Sequence, residues 1–490
     1  MQRHLITFSL GLFFGIFIIV YSANADVSEG RKAYDAGNYD AAYGYLKDAA
    51  EDGNAEAQFL LGECYFNGRG TRQDFQSAEA WFTESAEQNN VQAQEKLGNL
   101  YLNGKFFELN YELGVSWYAR AGAQGNVEAA LIAAKHYFRG EKVKRNLEKA
   151  LENFMVAGEA GDVEAQEMVG YLYFSGELGD KNYPEALDWY GKAASSGRVY
   201  PQYAVGWMYE NGMGTERNLE RAVEFYEKAA IGGHIEASTA LAYLYLNGSG
   251  VEKDLAKAIT YLTFAANNGQ VGAYAPLAWA YHLGEGTEQN PRSAYTWFLK
   301  AAQADTSDAQ SNFMVGYLLK SGIGVDQSAR ESIKWLEVAA NLGYSGAYEE
   351  LGNLFFFGAD GVEVDYERAG KWYRKPAENG KGYIQYLMGY IHDQGSDSSK
   401  NVDEALKWYR LAANKGEVAA QSRLAWLYYE GDVVERNLEE AYLWSNLAAT
   451  ASSGDDRDQL EKLRNFVASQ LSPQQLSDVQ AKTRQWRPAP

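Results

Sequence analysis

The sequence is poor in cysteine, histidine and proline, and each shortage excludes a class of protein. One cysteine, Cys64, is present among 490 residues, so neither an intramolecular disulfide nor a cysteine-based zinc cluster can form. Only eight prolines occur, which disfavours long helices interrupted by proline. The five histidines are scattered without His-x-x-x-His spacing: His4, His136, His234, His282 and His392. We therefore predict no bound metal and no cofactor.

Positive charge is also scarce. Lys and Arg total 45 against 65 Asp and Glu, which gives a net charge of −20. So acidic a surface repels phosphate backbones, and we expect no nucleic-acid partner. Aromatic residues are plentiful, with 36 Tyr, 21 Phe and 12 Trp, and these supply ample material for a core.

Long apolar runs are missing except at the N-terminus. An apolar segment from Leu5 to Tyr21 follows Arg3 and precedes Ala23 and Ala25, which is the Ala-x-Ala pattern of signal-peptide cleavage. We predict a signal peptide over residues 1–25, with an uncleaved anchor as the alternative. Because no later segment is long enough to span a membrane, we expect the mature chain to be exported and soluble. It would be secreted or held at the cell surface, or alternatively stay in the periplasm.

A repeat of 36 residues organises most of the chain. Eight copies begin at Ala55, Val91, Val127, Val163, Val199, Ile235, Val271 and Ser307, and three more begin near Ser345, Gly382 and Val418 after small insertions. One copy reads "VYPQYAVGWMYENGMGTERNLERAVEFYEKAAIGGH". A single copy cannot bury its own apolar residues, so stacked neighbours must complete the core.

Each copy predicts a helix hairpin. The first helix stops at a glycine suited to a left-handed terminus, namely Gly68, Gly104, Gly140, Gly176, Gly212, Gly248, Gly284, Gly322, Gly358, Gly395 and Gly431. The second helix begins at an N-cap residue, namely Asp74, Asn110, Asn146, Asn182, Asn218, Asp254, Asn290, Ser328, Asp365, Asn401 and Asn437.

The two ends of the array predict capping elements. Residues 28–54 read as a shortened hairpin with Asn38 at an N-cap, and residues 455–470 as an added helix. Ser472, Pro473 and Gln475 then predict a capping box that opens a last helix. The expected organisation is a signal peptide at 1–25, a capping half-repeat at 26–54, eleven repeats at 55–450 and a helical cap at 451–490.

The repeat pattern "A…LG.YY.NG.GV..D…A..WY.KAA..G" resembles the Sel1-like repeat, a relative of the tetratricopeptide repeat. The resemblance covers residues 55–450, and departures include Ala134, Ala242, Ala278 and Ala425 in place of the first-helix glycine. It implies an all-α fold, a right-handed alpha-alpha superhelical solenoid with the first helices along a concave groove. Overall layout is similar to a secretory immunoglobulin A-binding Sel1 protein of pathogenic enteric bacteria, which implies host secretory immunoglobulin A as partner and a virulence role. We expect a monomer.

The sequence offers no catalytic constellation. Cys64 occupies the position where other copies carry Leu100 or Leu172, so a buried apolar role is favoured over a nucleophile. His136 lies in the same column, and the abundant carboxylates recur as helix-surface residues. We therefore predict that the protein is not an enzyme.

The remaining place for function is the expected groove. Its candidate partner-binding residues lie one turn apart on the first helices: Tyr171, Phe174, Trp207, Glu210, Tyr243, Leu246, Trp279, His282 and Tyr317. Tyr and Trp with polar neighbours are favoured at recognition surfaces, although the same rings could serve only to pack adjacent repeats. The hypothesis is an exported protein-binding scaffold. The alternative is a periplasmic adaptor for envelope or exopolysaccharide assembly.

Overall fold

The computed structural model of the protein describes residues 26–395 and 400–489. The predicted signal peptide lies outside this part of the chain. The chain divides into two compact units, Met1–Lys253 and Asp254–Pro490, and each is described by itself.

In the first unit, the described residues from 26 onward form thirteen helices. They are α1 (residues 26–35), α2 (Tyr39–Glu51), α3 (Ala55–Asn67), α4 (Phe75–Glu87), α5 (Val91–Asn103), α6 (Tyr111–Ala123), α7 (Val127–Arg139), α8 (Leu147–Glu159), α9 (Val163–Ser175), α10 (Tyr183–Ser195), α11 (Val199–Asn211), α12 (Leu219–Ile231) and α13 (Ile235–Asn247). From α3 to α12 successive helices pair into hairpins, and each hairpin packs against the next.

The second unit repeats the arrangement. Its helices are α14 (Leu255–Asn267), α15 (Tyr274–Leu283), α16 (Pro291–Ala304), α17 (Ala309–Ser321), α18 (Ala329–Asn341), α19 (Ser345–Phe357), α20 (Tyr366–Glu378), α21 (Gly382–Gln394), α22 (Val402–Asn414), α23 (Val418–Glu430), α24 (Leu438–Ala451), α25 (Gly454–Gln470) and α26 (Pro473–Gln485). Across the described residues the β-structure amounts to one isolated bridge, Ala359 with Val362. The predicted all-α fold of stacked repeats is confirmed.

Every predicted second-helix N-cap is confirmed. In all eleven copies the side chain of the cap residue accepts a hydrogen bond from a backbone N–H in the first turn. Each bond satisfies a donor that has no partner within the helix. Asn38 precedes α2 as expected, but its side chain makes no capping bond. The capping box of Ser472 and Gln475 is present at α26.

The glycines that end the first helices are left-handed in nine of the eleven copies. Gly358 has a positive φ of 71° with an extended ψ of 172°, because the chain turns at once into the Ala359–Val362 bridge. Gly395 has φ −66° and ψ −178°, which is extended backbone open to any residue. The prediction of a left-handed terminus is therefore wrong at these two positions.

Buried glutamines connect six of the eleven repeats to the helix pair before them. Near the start of a first helix, the glutamine side-chain amide donates to a carbonyl in the last turn of the preceding second helix. These bonds join Gln58 to Ala50, Gln94 to Ala86, Gln166 to Gly158, Gln202 to Ala194, Gln385 to Ala377 and Gln421 to Ala413, at 2.9–3.3 Å. The last carbonyls of a helix lack partners within it, so these amides satisfy groups that the stack buries.

Candidate binding surface

The nine candidate residues lie on first helices of both units. Six are on α9, α11 and α13 of the first unit, and three are on α15 and α17 of the second. Tyr243 is 41% exposed, and the other eight are half-buried. Because the two positions in each helix are one turn apart, their side chains share one face.

In the first unit, the rings pack from one repeat to the next. Phe138 meets Tyr171 edge to face with ring centroids 6.2 Å apart, and Phe174 meets Trp207 in the same way at 5.8 Å. The second member of each pair therefore stands on the ring that ends the preceding first helix. These contacts show that the rings pack adjacent repeats, which is the alternative role considered from the sequence. All four rings are half-buried.

Tyr171 also takes part in a polar cluster. Its hydroxyl donates to Glu177 Oε1 at 2.7 Å, and Arg145 bonds the other oxygen of the same carboxylate at 2.5 Å. The bonds from Tyr171 and then Arg145 lower the pKa of Glu177. The carboxylate thus stays ionised and fixes the Tyr171 ring.

Glu210 is held by a neighbouring tyrosine. The Tyr226 hydroxyl donates to Glu210 Oε2 at 2.6 Å, and burial together with this bond raises the pKa of Tyr226. The Glu210 carboxylate therefore serves the hairpin formed by α11 and α12. Tyr243 and Leu246 follow on α13 at the same two positions.

In the second unit the candidate rings contact their own hairpins. Trp279 meets Phe298 of α16 edge to face at 5.1 Å, and His282 lies 5.7 Å from Trp279. Tyr317 stacks on Phe313 one turn earlier, with ring centroids at 6.0 Å. The structure thus brings Trp279 and His282 together on α15.

The structure brings Phe174 and Trp207 together at a cavity of about 240 Å³. Its lining is almost entirely aromatic: Phe174, Tyr190, Tyr200, Tyr203, Ala204 and Trp207. Tyr200, at 45% exposure, is the most open of these rings. Sequence reasoning missed Tyr200 and Tyr203. A signal was available, since both stand where the preceding copy has the polar residues Glu164 and Glu167.

The reactive side chains considered from sequence are buried or scattered. Cys64 is fully buried, and burial raises the pKa of its thiol to about 11, so the thiol is protonated at neutral pH. Burial also lowers the pKa of His136. Within residues 26–395 and 400–489, no three His, Cys, Asp or Glu side chains converge as metal ligands.

The repeats match a known family along most of the chain. The model of the family described as Sel1 repeat matches residues 55–90, 91–126, 127–162, 163–197, 202–234, 235–270, 273–305, 309–344, 345–381, 383–417 and 418–453. The chain belongs to the Sel1 repeat family. Each of these eleven matches covers most or all of one first helix and the second helix that follows it along the chain. Sel1-repeat proteins are generally non-enzymatic scaffolds suited to protein–protein interaction.

Solved structures of other Sel1-type proteins are similar to this one. A protective antigen present in uropathogenic Escherichia coli strains, which displays an SLR fold, is 30% identical over 91% of this chain and 94% of that chain, with a TM-score of 0.47. A Sel1 repeat protein from Oxalobacter formigenes is 30% identical over 63% of this chain and 89% of that chain, with a TM-score of 0.41. Family membership rests on the repeat matches. No curated protein matches the chain.

In the described part of the chain, no helix combines the length and the apolar character needed to cross a bilayer.

Proposed function

We propose that this Sel1-repeat chain is a non-enzymatic scaffold that holds a protein partner against its first-helix face. The observation that carries the proposal is the group of partly accessible rings on that face, centred on the cavity beside Trp207. Tyr200 and Tyr243 keep 45% and 41% of their surface exposed. Large rings with open faces provide contact area at a low cost in side-chain entropy, which favours protein recognition.

The partner we propose is host secretory immunoglobulin A, bound by an exported form of the chain. Two sequence features support it: the signal-like segment at residues 1–25, and an overall layout that resembles that of an immunoglobulin A-binding Sel1 protein. The chain has 65 acidic and 45 basic side chains, and this negative charge would attract the basic surfaces of a protein partner.

Replacement of single rings is expected to weaken binding of secretory immunoglobulin A. Trp207→Ala, Tyr243→Ala and Trp279→Ala should each raise the dissociation constant roughly tenfold or more, because buried aromatic anchors dominate such interfaces. Surface plasmon resonance with the purified protein measures the change. Circular dichroism and melting temperature show whether each variant is folded.

The matched control is Tyr45→Ala. Tyr45 is a similarly exposed tyrosine on α2, outside the candidate residues, so its replacement should leave binding unchanged. If the three variants bind as the natural protein does, the first-helix face is not the interface. If the natural protein itself does not bind, the proposed partner is wrong.

Protease treatment of intact cells is expected to degrade the protein, because the proposed partner is outside the cell. Immunoblotting before and after the outer membrane is permeabilised measures accessibility, with a periplasmic enzyme as the control for intact membranes. Protection until permeabilisation would contradict surface exposure. It would favour the alternative of a periplasmic adaptor for envelope or exopolysaccharide assembly.

A further inference from the structure

One buried tyrosine that lines the aromatic cavity lacks a hydrogen bond that its equivalents make in three other repeats. In three copies the buried tyrosine of the second helix donates to a polar residue of the first helix. Tyr226 donates to Glu210 at 2.6 Å, Tyr373 to Asn353 at 2.7 Å and Tyr409 to Asp393 at 3.1 Å. Tyr190 is the equivalent tyrosine of the copy that begins at Val163.

The first helix of this copy offers Tyr190 no equivalent acceptor. Phe174 stands where Glu210 and Asp393 stand, and Tyr171 stands where Asn353 stands. Tyr190 is only 1% exposed, and no atom of the described residues meets hydrogen-bond geometry with its hydroxyl. A buried hydroxyl without a partner destabilises a fold, so a group from outside the chain would relieve this cost.

The Tyr190 hydroxyl is a donor at physiological pH. Burial, and after it the neighbouring hydroxyl of Tyr200, raises the pKa of Tyr190 far above its ordinary value. Tyr200 lines the cavity beside Tyr190, with ring centroids 6.2 Å apart. The phenol therefore keeps its proton, and the nearby Tyr200 hydroxyl does not meet hydrogen-bond geometry with it.

A second substitution leaves the space open. The junction between α20 and α21 carries an equivalent set of rings, but Leu387 stands there in place of Ala204. The smaller side chain of Ala204 lines a cavity of about 240 Å³. An apolar cavity of about 150 Å³ binds benzene, and small-molecule sites occupy roughly 300–1,000 Å³. The volume thus fits one substituted six-membered ring.

We propose that this cavity binds a tyrosine side chain of the protein partner, whose phenol oxygen displaces the neighbouring hydroxyl of the exposed Tyr200 and accepts the hydrogen bond from the buried Tyr190. The proposal rests on the proposed function, because the tyrosine belongs to the partner. Five aromatic walls favour edge-to-face contacts with an inserted ring. Phenylalanine brings no acceptor, and the tryptophan N–H is a donor only, which leaves tyrosine as the one of the three large aromatic side chains that completes the site.

The test uses p-cresol, the tyrosine side-chain analogue, and toluene, which lacks the oxygen. Titrations of the purified protein are followed by NMR or calorimetry. Tyr190→Phe should weaken p-cresol binding roughly three- to tenfold, the effect of one hydrogen bond, and leave toluene binding unchanged. Ala204→Leu should remove binding of both compounds, because the leucine fills the space that the ring needs.

The control is Tyr373→Phe, since the Tyr373 hydroxyl is already bonded to Asn353; p-cresol binding should be unchanged. Stability gives a readout that needs no ligand. Tyr190→Phe should leave the melting temperature unchanged or higher because it removes an unpaired hydroxyl, whereas Tyr226→Phe should lower it by removing a made bond.

Three results would overturn the site: no binding of p-cresol, equal effects of Tyr190→Phe on both compounds, or retained binding in Ala204→Leu. The proposed function fails separately. If secretory immunoglobulin A binds but p-cresol does not, only the tyrosine site is wrong. If p-cresol binds with the expected variant pattern but no protein partner does, the site serves free phenolic compounds and the partner's tyrosine is excluded.

Discussion

Gly214→Ala is expected to lower the free energy of unfolding by about 3 kcal/mol or more. Gly214 has φ +73°, and a Cβ atom there would lie 2.5 Å from the Tyr183 carbonyl carbon and 2.7 Å from the Pro184 nitrogen. The left-handed backbone alone costs a non-glycine residue about 1–2 kcal/mol. The rest of the free-energy cost comes from the clash of the new Cβ atom with the backbone at the start of α10. This backbone cannot move without displacing the preceding repeat.

The matched control is Gly212→Ala, two residues earlier. Gly212 has a similar φ of +66°, but the nearest atom to its Cβ would be the Arg217 nitrogen at 3.3 Å, so we expect a cost of about 1–2 kcal/mol. Urea denaturation followed by circular dichroism measures both variants. Equal losses would show that Gly214 does not fix the separation between repeats.

Gly206→Ala is expected to destabilise the protein by about 1–3 kcal/mol, although alanine is the better helix former by about 1 kcal/mol. Gly206 lies within α11, and an added Cβ would come within 2.7 Å of the Tyr226 ring. Tyr226 is fully buried, so its ring has no free space to enter. The steric cost therefore outweighs the gain in propensity.

A pattern among the repeats supplies the compensating change. The four copies with alanine at this first-helix position, including Ala242, carry Phe154, Leu262, Phe298 or Ser445 where Gly206 faces a tyrosine. Tyr226→Leu should therefore be less harmful in the Gly206→Ala background than in the natural protein, which a double-mutant cycle of thermal unfolding measures. Additive losses would contradict the steric explanation.

The control for Gly206→Ala is Gly191→Ala. Gly191 is also within a helix, α10, but a Cβ there would meet nothing within 4 Å. Alanine should stabilise at this position by up to about 1 kcal/mol. Opposite signs at the two glycines would show that the facing ring, rather than the backbone, decides the effect.

The sequence predicts the helix ends correctly where they depend on residues of a single copy. Asn218 caps α12 and Gly212 ends α11 because each follows from a local pattern repeated along the chain. It could not predict the geometry of Gly395, where the same residue type sits in extended backbone. A glycine permits the left-handed region but does not require it.

The candidate surface was predictable only in part. The repeat columns indicate Phe174 and Trp207 but not Tyr200 and Tyr203, which line a cavity with Tyr190 only when one repeat stacks on the next. The sequence of a single copy also does not predict that the Tyr190 hydroxyl lacks a partner. It emerges when the residue at its acceptor position is compared with Glu210, which partners Tyr226.

The buried glutamine bonds also bear on how such a chain changes length. Each bond joins two fixed positions of the 36-residue unit. The donor lies near the start of one copy and the acceptor carbonyl near the end of the copy before it, as in Gln94 and Ala86. A gain or loss of one whole unit by recombination keeps this spacing, and it preserves the bond wherever the copy that follows is one of the six with the glutamine. An exchange that cuts a unit in half leaves a buried carbonyl without its amide, at a cost of about 1–3 kcal/mol. Selection for stability therefore favours gain and loss in whole repeats.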